Sequence, residues 1–96
     1  MKHKILVIDD CPLDLEGIEF LLESNGFHVK TTLDSEEGIA FIRQNRGAVS
    51  LAIVDYNMPG NNGAKVAEIL KQLDPRLQIA TYSGMSNPEV YDTLAA

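Results

Sequence analysis

The chain has 96 residues, 45% of them hydrophobic, which is enough for one small globular domain and too few for two independent cores. Fourteen acidic residues against eight basic ones give a formal net charge of -6, the wrong sign for a surface that binds nucleic acid directly. No apolar stretch approaches the roughly 20 residues of a membrane span or the length of an export signal, and Cys11 is the single cysteine. We therefore expect a cytoplasmic protein without disulfides, bound neither to nucleic acid nor to a membrane.

Short apolar segments alternate along the chain with longer segments in which apolar residues recur at helical spacing. This alternation predicts βαβ units, in which a parallel sheet is covered by helices on both faces. Residues 5–8 are continuously apolar, as in a central strand, whereas residues 27–32 alternate polar and apolar, as in a half-exposed edge strand. We therefore expect one doubly wound α/β domain. Its predicted strands are residues 5–8, 27–32, 49–54 and 77–82.

A helix is predicted after each of these strands. The first begins at Pro12 and ends at Gly26, and Ser35 is expected to cap the second. The third carries apolar residues at positions 66, 69, 70 and 73 and ends before Pro75. A last helix is predicted from Asn87, where a capping residue precedes a proline.

Polar side chains follow three of the predicted strands. Asp9 and Asp10 come after the first strand, Asp55 after the third and Ser83 after the fourth. Because the carboxyl ends of parallel strands lie at one edge of a sheet, we expect these residues to meet in the crevice where the strand order reverses. Carboxylates so close together repel one another unless a cation shares the site. Oxygen ligands without histidine or cysteine favour Mg²⁺, which commonly meets a phosphoryl group in proteins.

The absence of two nucleotide-binding motifs narrows the expected phosphate chemistry. The sequence has no glycine-rich dinucleotide fingerprint after the first strand and no Walker-type loop. We therefore hypothesise that a carboxylate itself accepts the phosphoryl group. Asp55, which stands alone opposite the acidic pair, is the candidate phosphoacceptor, and Ser83 is placed to donate its hydroxyl to a phosphoryl oxygen.

Three motifs surround these residues. An acidic pair, Asp9-Asp10, follows an apolar strand; residues 55–59 read Asp-Tyr-Asn-Met-Pro and are followed by Gly63; and residues 83–84, Ser-Gly, close a strand. From residue 4 to the end, this pattern resembles the CheY-like receiver domain of bacterial two-component response regulators. The resemblance implies a flavodoxin-like sheet of order 2-1-3-4-5.

The resemblance also implies roles for the candidate residues. A sensor histidine kinase or a phosphotransfer protein would pass a phosphoryl group to Asp55. Mg²⁺ would be bound by Asp10, Asp55 and the main-chain carbonyl of Asn57, with Asp9 acting partly through water. Ser83 would be the switch hydroxyl that moves toward the phosphoryl oxygens. These implied roles describe a signalling module. The chain is not expected to be an enzyme, except that it would catalyse at most its own phosphorylation and dephosphorylation.

The sequence ends before three features of the family: a fifth strand, a fifth helix and a lysine that ion-pairs with the phosphoryl group. We therefore expect residues 1–96 to form a single, C-terminally truncated receiver-like domain with strand order 2-1-3-4. Lys65 is the lysine closest to the Asp55 loop. A fourth strand without its neighbour is an open edge, which predicts a homodimer through that edge or through helix 1.

Two alternatives to a working phosphoacceptor stay open. In the first, the chain is a pseudo-receiver, an interaction or dimerisation domain with little or no phosphotransfer because the family lysine is missing. In the second, it is a phosphatase or phosphotransferase that forms an aspartyl phosphate. The second is disfavoured because Asn57 occupies the position where such an enzyme needs an aspartate as general acid.

Overall fold

A parallel sheet and three helices make up the part of the chain that the structure, a computed structural model, describes, namely residues 3–56 and 63–82. The strands are β1 (Lys4–Ile8), β2 (His28–Thr32), β3 (Leu51–Asp55) and β4 (Gln78–Tyr82). The helices are α1 (Pro12–Ser24), α2 (Ser35–Gln44) and α3 (Gly63–Leu73). All neighbouring strands are parallel and their order is β2-β1-β3-β4, so the predicted doubly wound α/β sheet of order 2-1-3-4 is confirmed. The helix predicted from Asn87 lies outside the described residues.

Side chains of the central strands alternate between two core layers, one on each face of the sheet. Leu6, Ile8 and Val54 pack on the face covered by α2 and α3. Val7 and Ile53 pack on the opposite face, which α1 covers. Because successive residues of a strand point to opposite faces, an uninterrupted apolar run such as residues 5–8 supplies both layers at once.

The strands at the two edges are more exposed than β1 and β3. In β2 the exposed residues His28 and Lys30 alternate with less exposed ones, as the polar and apolar alternation predicted. In the described part of the chain β4 pairs with β3 alone. None of the described helices combines the length and the apolar character that a membrane crossing requires.

The start of α2 corrects one prediction. Asp34, not Ser35, is the N-cap: its carboxylate accepts a hydrogen bond from the backbone N–H of Glu37 at 2.7 Å. The backbone oxygen of Asp34 also accepts the first helical bond, from Gly38 at 3.3 Å. Ser35 is the first helical residue and is buried. Two adjacent residues of capping type are equivalent in a sequence pattern, and the extended backbone of Asp34 decides between them.

The bounds of β3 differ from the prediction in a way that matters for the site. The strand was expected over residues 49–54, but it begins at Leu51 and includes Asp55 as its last residue. Val49 is buried before the strand begins. Asp55 is therefore fixed by the sheet itself, because it is in register with Tyr82 of β4.

Candidate metal centre

Three carboxylates lie together at the C-terminal edge of the sheet. Asp9, Asp10 and Asp55 each offer a carboxylate oxygen, and these oxygens lie within 4.8 Å of one another. Asp9 is fully buried, Asp55 is 7% exposed and Asp10 is exposed. The structure thus brings together the three acidic residues that the strand-end pattern singled out.

The pleat of the sheet explains why two of these carboxylates share a face. Val7 packs on the α1 face, and Asp9 is two residues further along the same strand direction. Ile53 packs on that face as well, and Asp55 is two residues beyond it. Since β1 and β3 are hydrogen-bonded neighbours, the two acidic side chains end next to each other.

The buried carboxylate of Asp9 accepts a hydrogen bond at each oxygen. The backbone N–H of Cys11 donates to Oδ1 at 2.9 Å. The hydroxyl of Tyr82 donates to Oδ2. A buried charge is tolerated only when such donors replace water, and hydrogen bonds to an ionised acceptor are stronger than neutral ones. Asp9 is therefore held in one orientation from two separate parts of the chain.

Tyr82 is the site residue that the sequence analysis missed. It is the last residue of β4, it is buried, and its ring packs in the core layer on the α1 face. A buried tyrosine needs a partner for its hydroxyl, and an aromatic residue at a strand end that faces an acidic pair was the available signal.

The surroundings of Tyr82 keep its hydroxyl protonated. Burial of the ring raises the pKa of Tyr82 far above its ordinary value, and the hydrogen bond to Asp9 raises it further. The negative charges of Asp9, Asp55 and Asp14 act in the same direction. The hydroxyl therefore acts as a donor to Asp9 over the whole physiological pH range.

We expect part of the folding stability to disappear above about pH 10 because of Tyr82. Below the ordinary tyrosine pKa of about 10, the hydroxyl is protonated in the folded and the unfolded chain, so its contribution is fully present. Above that pH, the unfolded chain releases the proton and the folded chain retains it. At about pH 11 the loss from this group is on the order of 1 kcal/mol.

Urea unfolding of the wild type and of the Tyr82→Phe variant, at about pH 8 and about pH 11, measures this loss. The two proteins differ only in the hydroxyl of residue 82, so the difference between their losses isolates Tyr82. The wild type should lose more stability than the variant over this interval. Equal losses in the two proteins would show that Tyr82 does not titrate as described.

Close backbone contacts brace the end of β3. The backbone N–H of Tyr56 donates to the oxygen of Tyr82 at 2.7 Å, and the N–H of Gly63 donates to the oxygen of Tyr56 at 3.2 Å. A Cβ atom on Gly63 would lie 2.7 Å from the Cα of Tyr56 and 2.9 Å from the backbone oxygen of Asp55. Only glycine permits this approach of α3 to the strand end.

Two predicted site residues, Asn57 and Ser83, lie outside the described residues, so their roles stay predictions. Lys65, the lysine predicted to be closest to the Asp55 loop, lies in the first turn of α3 and is exposed. The donor set that the structure does describe consists of carboxylate oxygens, which suits a hard divalent cation such as Mg²⁺.

The profile of the response regulator receiver domain family matches residues 5–95 of the chain. The chain is 32% identical to the two-component response regulator ARR18 of Arabidopsis thaliana over 81 aligned residues. These aligned residues make up 83% of this chain. The chain spans 13% of the length of that relative.

Solved structures of receiver domains have the same fold. A response regulator receiver domain protein from Clostridium thermocellum superposes with a TM-score of 0.79 at 34% identity, over 82% of this chain and 63% of that one. TrrA from Thermotoga maritima, solved in complex with Mg²⁺ and BeF, superposes with a TM-score of 0.74 at 32% identity. The match covers 82% of this chain and 66% of that one. The structure of TrrA in complex with the histidine kinase ThkA matches with a TM-score of 0.71 at 32% identity, over 84% of this chain and 67% of that one. The chain therefore belongs to the response regulator receiver domain family, a family of phosphoacceptor domains with an acidic Mg²⁺-binding pocket.

Proposed function

We propose that Asp55 accepts a phosphoryl group from the phosphohistidine of a sensor histidine kinase or a phosphotransfer protein. The observation that carries the proposal is the cluster of Asp9, Asp10 and Asp55, with carboxylate oxygens within 4.8 Å of one another. A bond forms between a carboxylate oxygen of Asp55 and phosphorus while the bond from phosphorus to the histidine nitrogen breaks. The histidine then regains its neutral form.

The position of Asp55 distinguishes it from the other two carboxylates. Asp9 accepts hydrogen bonds at both oxygens and is fully buried, which suits a fixed supporting group. Asp10 is exposed and lies in the loop before α1. Asp55 ends the strand between β1 and β4, so it stands at the centre of the sheet edge. A nucleophile at this point has the acidic pair that follows β1 on one side and the end of β4 on the other.

The same cluster is proposed to bind Mg²⁺ through Asp10, Asp55 and the main-chain carbonyl of Asn57, with Asp9 acting partly through water. Three carboxylates at this separation repel one another, so a bound cation stabilises their ionised forms. When bound, the ion supplies positive charge against the oxygens of the incoming phosphoryl group. TrrA, a relative solved in complex with Mg²⁺ and BeF, supports Mg²⁺ as the ion that this cluster binds.

The remaining roles follow the family pattern. Ser83, which directly follows Tyr82 at the end of β4, is proposed as the switch hydroxyl. A histidine kinase is proposed as the phosphoryl donor, and the complex of ThkA with TrrA supports a partner of this kind. The cytoplasm is the proposed location.

Incubation with acetyl phosphate and Mg²⁺, followed by intact-mass measurement, tests the proposal. The wild type should gain the mass of one phosphoryl group, and chelation of the metal should prevent the gain. A protein that binds Mg²⁺ without gaining this mass would contradict phosphotransfer and support a pseudo-receiver.

A pseudo-receiver is the second candidate: an interaction or dimerisation domain that performs little or no phosphotransfer. The positions of three of the described lysines favour it. The ammonium groups of Lys4 and Lys30 lie 5.1 Å and 5.7 Å from the ring centroid of Phe41. Lys71 donates to the backbone oxygen of Leu77 at 2.6 Å. These three lysines are engaged away from the carboxylates, which leaves Lys65 as the described candidate for the role of the family lysine.

Self-association is proposed for either candidate, through the β4 edge or the outer face of α1. The outer edge of β4 has no partner strand among residues 3–56 and 63–82. On α1, Leu13 is 78% exposed and Phe20 is 76% exposed, and their spacing of seven places them on one helix face. Light scattering at rising concentration should show a dimer, and a mass that stays at 10.5 kDa would refute it.

A further inference from the structure

A tyrosine from β4 reaches the acidic cluster across an intervening strand. Tyr82 ends β4, Asp9 follows β1, and β3 lies between the two strands. Neighbouring strands are about 4.8 Å apart, so the backbones of β1 and β4 are about 10 Å apart. The hydroxyl of Tyr82 nevertheless donates to Oδ2 of Asp9. A serine or threonine in this position is too short to make the contact, and phenylalanine has no hydroxyl.

The contact fixes the orientation of a carboxylate that has no contact with solvent. Asp9 is 0% exposed, and its second oxygen is already held by the N–H of Cys11. With both oxygens engaged, the side chain cannot rotate without breaking a charge-assisted hydrogen bond. A metal ligand or supporting carboxylate that is held before the ion arrives loses less freedom when the ion binds.

We propose that Tyr82 is a positioning residue for Asp9, so that the affinity of the acidic cluster for Mg²⁺ depends on the tyrosine hydroxyl. This inference rests on the proposed function of the cluster as a Mg²⁺ site. Partners that orient the groups around a metal typically change its affinity by 10- to 100-fold when they are removed. Loss of the hydroxyl is therefore expected to weaken Mg²⁺ binding about tenfold.

Tyr82 also ties the cluster to the backbone at the end of β4. Its backbone oxygen accepts the hydrogen bond from the N–H of Tyr56, next to Asp55. Its side chain holds Asp9, and the next residue is Ser83. One residue thus connects both acidic strand ends with the start of the segment that carries the proposed switch hydroxyl.

Calorimetric titration of Mg²⁺ into the wild type, Tyr82→Phe and Tyr56→Phe tests the proposal. Phenylalanine retains the ring that packs on the α1 face and removes only the hydroxyl. Tyr56 is a matched control, because it stands beside Asp55 but its side chain is 48% exposed and its backbone contacts survive the substitution. Tyr82→Phe should bind about tenfold more weakly than the other two proteins.

A double-mutant cycle separates positioning from packing. If the hydroxyl acts through Asp9, Tyr82→Phe should cause no further loss of Mg²⁺ affinity in an Asp9→Asn background. If it acts through general packing, the loss should be the same in both backgrounds, which would overturn the proposal. Asp10 and Asp55 remain in the Asp9→Asn background to bind the ion.

A spectroscopic test leaves Tyr82 intact and so does not depend on the folding of Tyr82→Phe. The chain has three tyrosines and no tryptophan, so the double variant Tyr56→Phe/Tyr91→Phe has Tyr82 as its single tyrosine. Replacement of Asp9 by asparagine in this variant should shift the tyrosine absorbance before any Mg²⁺ is added, because the hydroxyl then donates to a neutral acceptor. An identical spectrum would show that the hydroxyl does not contact Asp9 and would overturn the proposal.

The outcomes distinguish this inference from the function on which it rests. A wild type that does not bind Mg²⁺ would refute the proposed metal site and the inference together. A wild type that binds Mg²⁺, with Tyr82→Phe binding equally well, would refute the role of Tyr82 alone.

Discussion

Replacement of Asp55 by asparagine is expected to abolish the phosphoryl mass that the wild type gains from acetyl phosphate and Mg²⁺. The amide has nearly the same shape as the carboxylate but lacks the anionic oxygen that attacks phosphorus. Because Asp55 is the last residue of β3 and in register with Tyr82, the backbone should hold the strand end in place after the substitution. Intact-mass measurement over time gives the occupancy directly.

Glu23→Gln is the matched control for this experiment. Glu23 is exposed in the last turn of α1 and lines a surface pocket with Lys4 and His28, which begin β1 and β2 at the opposite edge of the sheet from the cluster. This variant removes one negative charge without touching the site, so it should gain phosphoryl mass as the wild type does. A phosphoryl group that still appears on Asp55→Asn would mean that another residue is the acceptor.

Replacement of Gly63 by alanine is expected to destabilise the fold by about 2 kcal/mol and to slow phosphorylation. The added Cβ would lie 2.7 Å from the Cα of Tyr56 and 2.9 Å from the oxygen of Asp55. Both neighbours are backbone atoms, so no rotamer change relieves the contact and the end of β3 or α3 must shift. That shift moves the phosphoacceptor relative to Asp9 and Asp10. Urea unfolding and the initial rate of mass gain measure the two effects.

Gly17→Ala provides the comparison for Gly63→Ala. Gly17 lies in the middle of α1 and is exposed, so alanine should stabilise the helix by up to about 1 kcal/mol and leave phosphorylation unchanged. If Gly63→Ala is as stable as the wild type and reacts at the same rate, the close approach of α3 to the strand end does not position Asp55.

The sheet was predictable because its strands differ in kind. The apolar run at residues 5–8 has no polar face, which requires cover on both sides, while the alternation at His28 and Lys30 marks an edge. Local details were less predictable. Asp34 and Ser35 both have capping side chains, and the choice between them depends on the backbone conformation that packing imposes.

The acidic cluster was predictable from strand ends alone, because a parallel sheet brings Asp9 and Asp55 to the same edge. The role of Tyr82 was not. Its hydrogen bond joins residues 73 positions apart and spans a strand, so it depends on the depth of the ring in the core and on the strand register. No spacing rule for neighbouring residues contains that information.

The most direct test of the account is a calorimetric titration of Mg²⁺ into the wild type and into Asp10→Asn. Asp10 is the exposed member of the cluster, so its replacement disturbs the core least. The account predicts one Mg²⁺ per wild-type chain and an affinity at least about tenfold lower for Asp10→Asn. Absence of binding heat in the wild type, or equal affinity in the two proteins, would contradict a metal ion shared by these carboxylates.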